Sequence, residues 1–332
     1  MALNLEEQSY AGDVLKQFIS LATTSFDTLE KGCINVMAGI KKKGFIPTVS
    51  VKNFIQARKA TPTHGGSATT SARVLEPKDF MGYLEFNPRD FETTWLAAQM
   101  NPKLLDAELP KTADSAITQE VIKLNKSYLD VAIWQSVYDE AAVATAATNG
   151  LGDNDNNLIF FDGLLKKMTD DADVIKIDTP EVITVGNIFA KFKLVKNARP
   201  KAIKNNPKGA YLVSCTTAEI FEDAQQAQNY KGANVTEAGK MTYGGRPVIA
   251  LAGIPDDTIV YCLCSADLES NLWLGVNEIE EEEYLKLMPL QNNSENWFLK
   301  MLYKIDVNFA HAKQTVLYTL WGAEEEEEEE EV

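Results

Sequence analysis

The sequence has very few of the residues from which catalytic and metal sites are most often built. It contains two histidines, His64 and His311, and four cysteines. Neither histidine has a fixed acid or nucleophile suggested near it, so each is interpreted as a polar loop or strand-end residue. No Gly-x-Gly-x-x-Gly, Gly-x-x-x-x-Gly-Lys-Ser/Thr or Gly-x-Ser-x-Gly motif is present. We therefore predict that the protein is not an enzyme, with no catalytic residues, no cofactor and no bound metal.

The cysteines do not form a recognisable site. Cys262 and Cys264 lie in an apolar, strand-like run, and Cys33 and Cys215 are far from them in sequence. This is not the spacing of a zinc site, and four cysteines in 332 residues are too few for a disulfide framework. We interpret all four as buried, reduced thiols.

Long hydrophobic runs are also missing. No apolar stretch approaches the ~20 residues that a membrane-spanning helix needs. The first ten residues, MALNLEEQSY, lack the basic start and apolar core of a secretory signal. We expect no membrane association.

Basic residues are scarce relative to acidic ones. Lysine and arginine total 32 against 48 aspartates and glutamates, which gives a net charge of −16. Lys41–Lys43 is the only tight basic cluster, so we expect no sequence-specific binding of nucleic acid. An acidic surface instead suits a protein that stands beside DNA without adhering to it. The acidic cluster Glu278–Glu283 is interpreted as a solvated face, and the eight glutamates Glu324–Glu331 as a solvated tail.

Residues 114–148 give the strongest periodic signal. Ile117, Val121, Leu124 and Tyr128 are spaced by four, three and four residues, as on one face of a helix. Asp114 or Ser115 is a suitable N-cap, and Asn149-Gly150 is a suitable end. The pattern predicts one helix about 50 Å long, which we call the spine helix.

Two segments near the N-terminus are not expected to form a hydrophobic core of their own, so each must pack on another surface. Residues 14–22 carry a helical apolar stripe with no companion, so this arm must pack on the main body or on a neighbour. Two extended-looking runs, Phe45–Ile55 and Arg73–Phe86, flank Thr61–Ser71, a tip of Gly, Ser, Thr, Pro and Ala. Because an isolated hairpin is marginal in water, we expect a hairpin arm that lies on another surface. A long flexible surface loop is the open alternative.

The second half of the sequence mixes helix and strand signals. Residues 180–290 alternate capped helices, short apolar strands and tight turns. In residues 297–309 the seven odd-numbered positions are all apolar and share one face, while Lys300, Lys304, Asp306 and Asn308 share the other, which predicts a long, half-buried antiparallel strand. The fold class is therefore expected to be α+β.

Three stretches, and the order of these elements, resemble tailed-bacteriophage major capsid proteins with the HK-ninety-seven-type fold, which encapsulins share. Pro77–Phe91 (PKDFMGYLEFNPRDF) resembles the return from the extended loop in capsid proteins of phages from gut Bacteroides-type hosts. Residues 129–135 (LDVAIWQ) resemble the end of the spine helix in the same group. Gly244–Val248 followed by Ile254–Asp257 resembles an axial-domain segment of many phage capsids.

The resemblance implies a domain organisation. It gives an N-terminal arm (1–45), an extended loop hairpin (46–90), a peripheral domain (91–179) with the spine helix at 114–148, and an axial domain (180–290). Closing strands of the peripheral domain (291–321) and an acidic tail (322–332) follow. The subunit-contact candidates lie mostly on the extended loop, and they are Phe54, Thr61, His64, Gly65, Gly66, Arg73, Phe80, Tyr83 and Arg246.

The resemblance also implies a function. Copies of the chain would form the hexamers and pentamers of an icosahedral phage head that encloses double-stranded DNA, in a virion assembled in the host cytoplasm. Partners would be the chain itself, a separate scaffold protein, a portal and decoration proteins. An encapsulin shell with an enzyme cargo is one alternative. An acidic α/β enzyme or ligand-binding oligomer, with a deep carboxylate-lined pocket, is the alternative from another class.

Overall fold

The computed structural model describes residues 27–52, 55, 57–58, 61, 67–87, 111–152, 156–227, 241–277, 285–290 and 296–322. Predicted features at residues 14–22, 62–66, 278–283 and 324–331 lie outside this set. The described helices are α1 (Asp27–Glu30), α2 (Lys111–Gln135), α3 (Glu140–Asn149), α4 (Leu164–Asp170), α5 (Ile188–Ala198) and α6 (Cys215–Gln226). The described strands are β1 (Asn35–Met37), β2 (Gly44–Lys52), β3 (Ser67–Leu75), β4 (Lys78–Phe86), β5 (Ile175–Lys176), β6 (Gly209–Ser214), β7 (Thr242–Tyr243), β8 (Arg246–Leu251), β9 (Ile259–Leu263), β10 (Leu272–Val276), β11 (Leu285–Pro289), β12 (Trp297–Phe309) and β13 (Val316–Tyr318).

The first sheet is organised around β12, the strand predicted from strict alternation. Its order is β1-β10-β12-β11, and β4 pairs with the opposite edge of β12. The alternation prediction is confirmed, because every second side chain of β12 is buried: Leu299, Met301, Tyr303, Ile305, Val307 and Phe309. The core therefore lies on one face of this sheet.

The second sheet forms a separate layer. Its order is β5-β13-β9-β6-β8-β7, with β6 parallel to β8 and antiparallel to β9. One face packs beneath α5 and α6, through residues such as Phe192, Tyr211 and Phe221. The other face, through Leu212 and Val260, joins the core shared with α2, α4 and the first sheet. The two sheets and their helices confirm the α+β class.

The prediction of one continuous spine helix over residues 114–148 is wrong. The helix α2 ends at Gln135, and α3 starts only at Glu140. Between them, the N–H groups of Val137 and Asp139 donate to the carbonyls of Leu158 and Ile159. Asp139 then caps α3 by accepting from two backbone N–H groups. Tertiary hydrogen bonds thus replace the intrahelical ones, although α3 ends before Gly150 as expected.

The extended hairpin also differs from its prediction. Its strands are β2 and β3, with Gly44 opposite Leu75 and Lys52 opposite Ser67. Residues 67–71, predicted as tip, are therefore strand. Residues 78–86, predicted as the second arm, form β4 and belong to the first sheet, because they pair with β12 and Phe80 packs in the core. Likewise β13, predicted to close the peripheral domain, pairs with β9 in the second sheet.

The described part of the predicted N-terminal arm is built into the body. Strand β1 pairs in parallel with β10, and Cys33 and Ile34 are fully buried. The backbone N–H and hydroxyl of Thr28 both donate to Oδ1 of Asp130 in α2, at 3.1 and 2.7 Å. The indole N–H of Trp134 donates to the same hydroxyl oxygen. Residues 27–37 thus pack on the chain's own core.

The stability of the Asp130→Asn variant, relative to that of wild type, is expected to increase as pH rises. Burial raises the pKa of Asp130, with its two hydrogen bonds from Thr28 opposing the shift, and its Oδ2 has no hydrogen-bond partner among the described residues. A raised pKa in the folded state means that the contribution of this group to stability is full below its unfolded pKa and falls as pH rises through the folded pKa. The free energy of unfolding of Asp130→Asn minus that of wild type should therefore increase with pH, measured by urea titrations from pH 3.5 to 8. A pH-independent difference would contradict this interpretation.

Candidate subunit-contact surface

The hairpin β2–β3 exposes an apolar face. Alternate residues of β2 point to that face, namely Phe45, Pro47, Val49 and Val51. Phe45, Val49 and Val51 are 59%, 66% and 55% exposed. Their cross-strand neighbours on β3 are small or apolar: Val74, Ala72, Thr70 and Ala68. A contiguous apolar face left open to water is typical of an interaction surface.

The opposite face of the hairpin is anchored at its base and polar further out. Ile46 and Leu75 are buried and form a small core with Ile40, Trp273 and Ala310. Further along, the Thr48 hydroxyl hydrogen-bonds with Ser71. The chain therefore buries only the base of the hairpin and leaves the distal apolar face without cover from the described residues.

Arg73 fixes the angle at which the hairpin leaves the body. Its guanidinium pairs with Asp171 at 2.5 Å and lies 4.2 Å from the ring centroid of Phe309. Burial is the largest single influence on Asp171 and opposes its ionisation, but the hydrogen bonds from Arg73 and the Asp173 N–H, together with the charges of Arg73 and Lys176, outweigh it and lower the pKa of this carboxyl. Arg73, a predicted subunit-contact residue, thus makes its described contacts within its own chain.

Replacing Arg73 with methionine is expected to loosen the hairpin base. The variant keeps an apolar stem over Phe309 but loses the ion pair and the cation–π contact, worth about 1–2 kcal/mol together. Amide hydrogen exchange in β3 should accelerate roughly tenfold, while exchange in β12 stays unchanged. Arg58→Met, an exposed arginine further along the hairpin, is the matched control. Equal exchange rates in both variants would rule out this anchoring role.

A cleft of about 360 Å³ lies beside the hairpin base. Three carboxylates line it, and each has a structural partner. Asp306 accepts from Lys167 at 2.7 Å and from the Glu76 N–H, and Glu76 pairs with Lys43. Asp162 accepts from the Tyr138 N–H. These carboxylates join hairpin, helix and sheet, which favours a structural role over an acid–base one.

The predicted contact residues fall in several places. Phe54, His64, Gly65 and Gly66 lie outside the described residues, whereas Thr61 is described and exposed. Phe80 is only 9% exposed and stacks on Tyr303 and Phe160. It is a core residue, so its proposed role in subunit contact is withdrawn. Arg246 is half-buried, and its guanidinium lies 3.5 Å from the Lys204 carbonyl.

Tyr83 marks a second apolar surface, on the outer face of the first sheet. Its ring is 49% exposed and stacks on Phe298 at 5.9 Å between centroids. Met81, 58% exposed, lies opposite Leu302 on the same face. From this surface the sequence analysis named only Tyr83, and it named none of the exposed apolar residues of β2 as a contact candidate. The signal was present, since apolar residues at alternate positions of β2 indicate one hydrophobic face.

The cysteines are not all buried as predicted. Cys33 and Cys262 are buried and Cys264 is half-buried, but Cys215 is exposed at the start of α6. The Sγ atoms of Cys262 and Cys264 lie 3.6 Å apart, and a hydrogen bond with Cys264 together with burial raises the pKa of Cys33.

Among the described residues, no group of three or more His, Cys, Asp or Glu side chains is placed to hold a metal ion. Of the helices described, none is long and apolar enough to cross a bilayer.

The fold of this chain matches solved structures, although its sequence matches no family model and no curated protein. A chain of the satellite phage P4 procapsid that includes the size determination (Sid) protein is 14% identical, with a TM-score of 0.56 over 91% of this chain and 97% of that chain. This chain has the fold of tailed-phage capsid proteins.

Two further solved structures agree with this. A Gordonia phage Cozz chain is 12% identical with a TM-score of 0.52, over 89% of this chain and 86% of that one. A chain of the native GTA particle capsid is 9% identical with a TM-score of 0.51, over 88% of this chain and 89% of that one. Each of these three matches covers at least 86% of both chains. The resemblance to phages of Bacteroides-type hosts stays a prediction.

Proposed function

We propose that this chain is the repeating subunit of a closed protein shell, the major capsid protein of a tailed phage. The observation that carries the proposal is the apolar face of β2, which projects from a well-packed body and is not covered by the described residues. Burial of three such side chains favours a contact by about 1.5–3 kcal/mol each. On this fold, the surface that covers the hairpin is a neighbouring copy of the chain.

The proposed assembly follows from repeating that contact. A head-to-tail contact that closes on itself gives rings, here the hexamers and pentamers of an icosahedral head. Each subunit makes several contacts at once, so modest individual contacts suffice for a stable shell. The acidic chain would enclose double-stranded DNA without sequence-specific binding. A separate scaffold protein, a portal and decoration proteins remain proposed partners, and the virion the proposed location.

The two alternative functions, an encapsulin shell and an acidic enzyme or ligand-binding oligomer, require different structural features. An encapsulin shell uses the same fold, so it differs from a phage head in its contents and not in its subunit. An acidic enzyme or ligand-binding oligomer needs free functional groups in a deep pocket. The cleft beside the hairpin offers carboxylates that are already paired with Lys43 and Lys167 or bonded to backbone N–H groups. The structure therefore favours the shell subunit.

Expression of the chain by itself tests the proposal. Sedimentation and negative-stain images of the purified protein are expected to show closed particles of uniform diameter. Particles that co-purify with one defined protein would support the encapsulin alternative. A stable monomer or dimer at micromolar concentration, with and without a co-expressed candidate scaffold, would contradict the proposed function.

A further inference from the structure

The axial part of the chain concentrates positive charge in a protein with a net charge of −16. Residues 182–218 contain no aspartate or glutamate, yet they carry seven basic residues: Lys191, Lys193, Lys196, Arg199, Lys201, Lys204 and Lys208. Most of these bases are separated by two or more residues, which is why sequence analysis recognised only Lys41–Lys43 as a basic cluster. They lie on α5 and on the turn that leads into β6.

Four of the seven basic side chains already contact acidic or aromatic side chains of the same chain. Lys191 pairs with Glu181, and Lys208 pairs with Asp267 and Glu269. The Arg199 guanidinium lies over the Tyr261 ring, and the Lys196 ammonium over the ring of Tyr243. These residues hold the turn and the end of α5 on the second sheet.

The remaining three bases face solvent. Lys193, Lys201 and Lys204 are exposed, and none forms an ion pair with any other described residue. We call these three residues the basic patch. An unpaired cluster of like charges is costly for the isolated subunit, and it becomes favourable when an oppositely charged surface approaches.

The neighbouring helix carries the opposite charge. Glu219, Glu222 and Asp223 of α6 are exposed, and α6 contains no lysine or arginine. None of the three forms an ion pair with a described residue. We call them the acidic patch. The turn 199–208 precedes the start of β6 and α6 begins directly after its end, so the two patches belong to opposite ends of that strand.

We infer that the basic patch of one subunit binds the acidic patch of a second copy in the shell. Resting on the proposed function, this inference names the electrostatic contact that orients adjacent axial regions. A ring of identical subunits needs two different, complementary surfaces on each copy. The two patches provide them, since the basic patch lies on α5 and on the turn before β6, and the acidic patch lies on α6. Charge complementarity of this kind sets orientation and register more than total affinity.

Paired charge reversals test the contact. Lys201→Glu/Lys204→Glu places acid against acid across the contact, and Glu219→Lys/Glu222→Lys places base against base. Each is expected to lower the yield of closed particles, measured by sedimentation, by roughly tenfold or more. The four substitutions together restore opposite charges and are expected to return the yield to near wild type.

The controls separate this contact from other effects. Lys41→Glu/Lys42→Glu reverses two exposed lysines outside the patch and is expected to leave particle yield unchanged. Circular dichroism of unassembled subunits shows that each variant folds. Normal yield from both reversed pairs, or no rescue in the combined variant, would overturn the inference. Normal shells from Lys201→Glu/Lys204→Glu that lose packaged nucleic acid would assign the basic patch to nucleic acid instead. A wild-type chain that forms no particles, with and without a co-expressed candidate scaffold, would overturn the proposed function as well.

Discussion

Subunits that carry Val49→Glu and Val51→Lys are expected to fold normally and to form no closed shells. Both valines lie on the apolar face of the hairpin, where they are more than half exposed in the single chain. Their replacement costs the isolated subunit little, since no described contact is lost. In an assembled shell it removes about 3–6 kcal/mol of apolar burial per contact and requires two charges to be desolvated.

The measurement is sedimentation velocity of wild type and variant at equal concentration, with far-UV circular dichroism to verify folding. Thr48→Glu with Ser71→Lys is the matched control, because it places the same two charges on the opposite face of the same strand pair. This control is expected to assemble. Shells from the Val49/Val51 variant, or failure of both variants alike, would show that the apolar face does not drive assembly.

Gly253→Ala is expected to destabilise the subunit by about 3 kcal/mol, because a Cβ there would make the shortest contact of any Cβ added at a described glycine. A Cβ at this position would lie 2.0 Å from the carbonyl oxygen of Asp130 and 2.9 Å from the Trp134 ring. Both belong to the end of α2, whose position is fixed by the buried Thr28–Asp130 bonds. The backbone cannot move away without breaking the contact between α2 and the β8–β9 turn, so the overlap is relieved only at the cost of packing.

The unfolding midpoint should fall by roughly 6–12 °C, measured in the non-assembling Val49→Glu/Val51→Lys background so that subunit and shell stability are separated. Gly186→Ala is the control, because a Cβ there would meet nothing within 4 Å, and its effect should stay within about 0.5 kcal/mol. A midpoint for Gly253→Ala equal to that of the control would mean that α2 and the turn are less tightly packed than described.

The sequence predicted those elements whose pattern is set by the core of the chain itself. Strand β12 alternates because one of its faces is buried from Leu299 to Phe309. The stripe predicted for α2 is confirmed only in part, since Leu129 and Ile133 are buried but Leu124 is 72% exposed. The break after Gln135 was not predictable, because the hydrogen bonds from Val137 and Asp139 go to residues that are distant in sequence. Local periodicity cannot reveal such partners.

The predicted bounds of the hairpin strands were wrong for a related reason. Residues 67–71 are serine, alanine and threonine, which are typical of a tip, and only pairing with β2 makes them a strand. The same limit applies to the contact surface. Phe80 and Tyr83 are three residues apart in a strand and therefore point to opposite faces. Only the pairing of β4 with β12 shows which of the two faces packs in the core.

A reconstruction of the assembled particle by cryo-electron microscopy tests the central claim most directly. We predict that Phe45, Val49 and Val51 of each subunit are buried against a neighbouring copy, with β2 and β3 in the register described here. Particles in which these three side chains remain open to solvent, or a purified chain in which its own residues cover them in a stable monomer, would contradict the account.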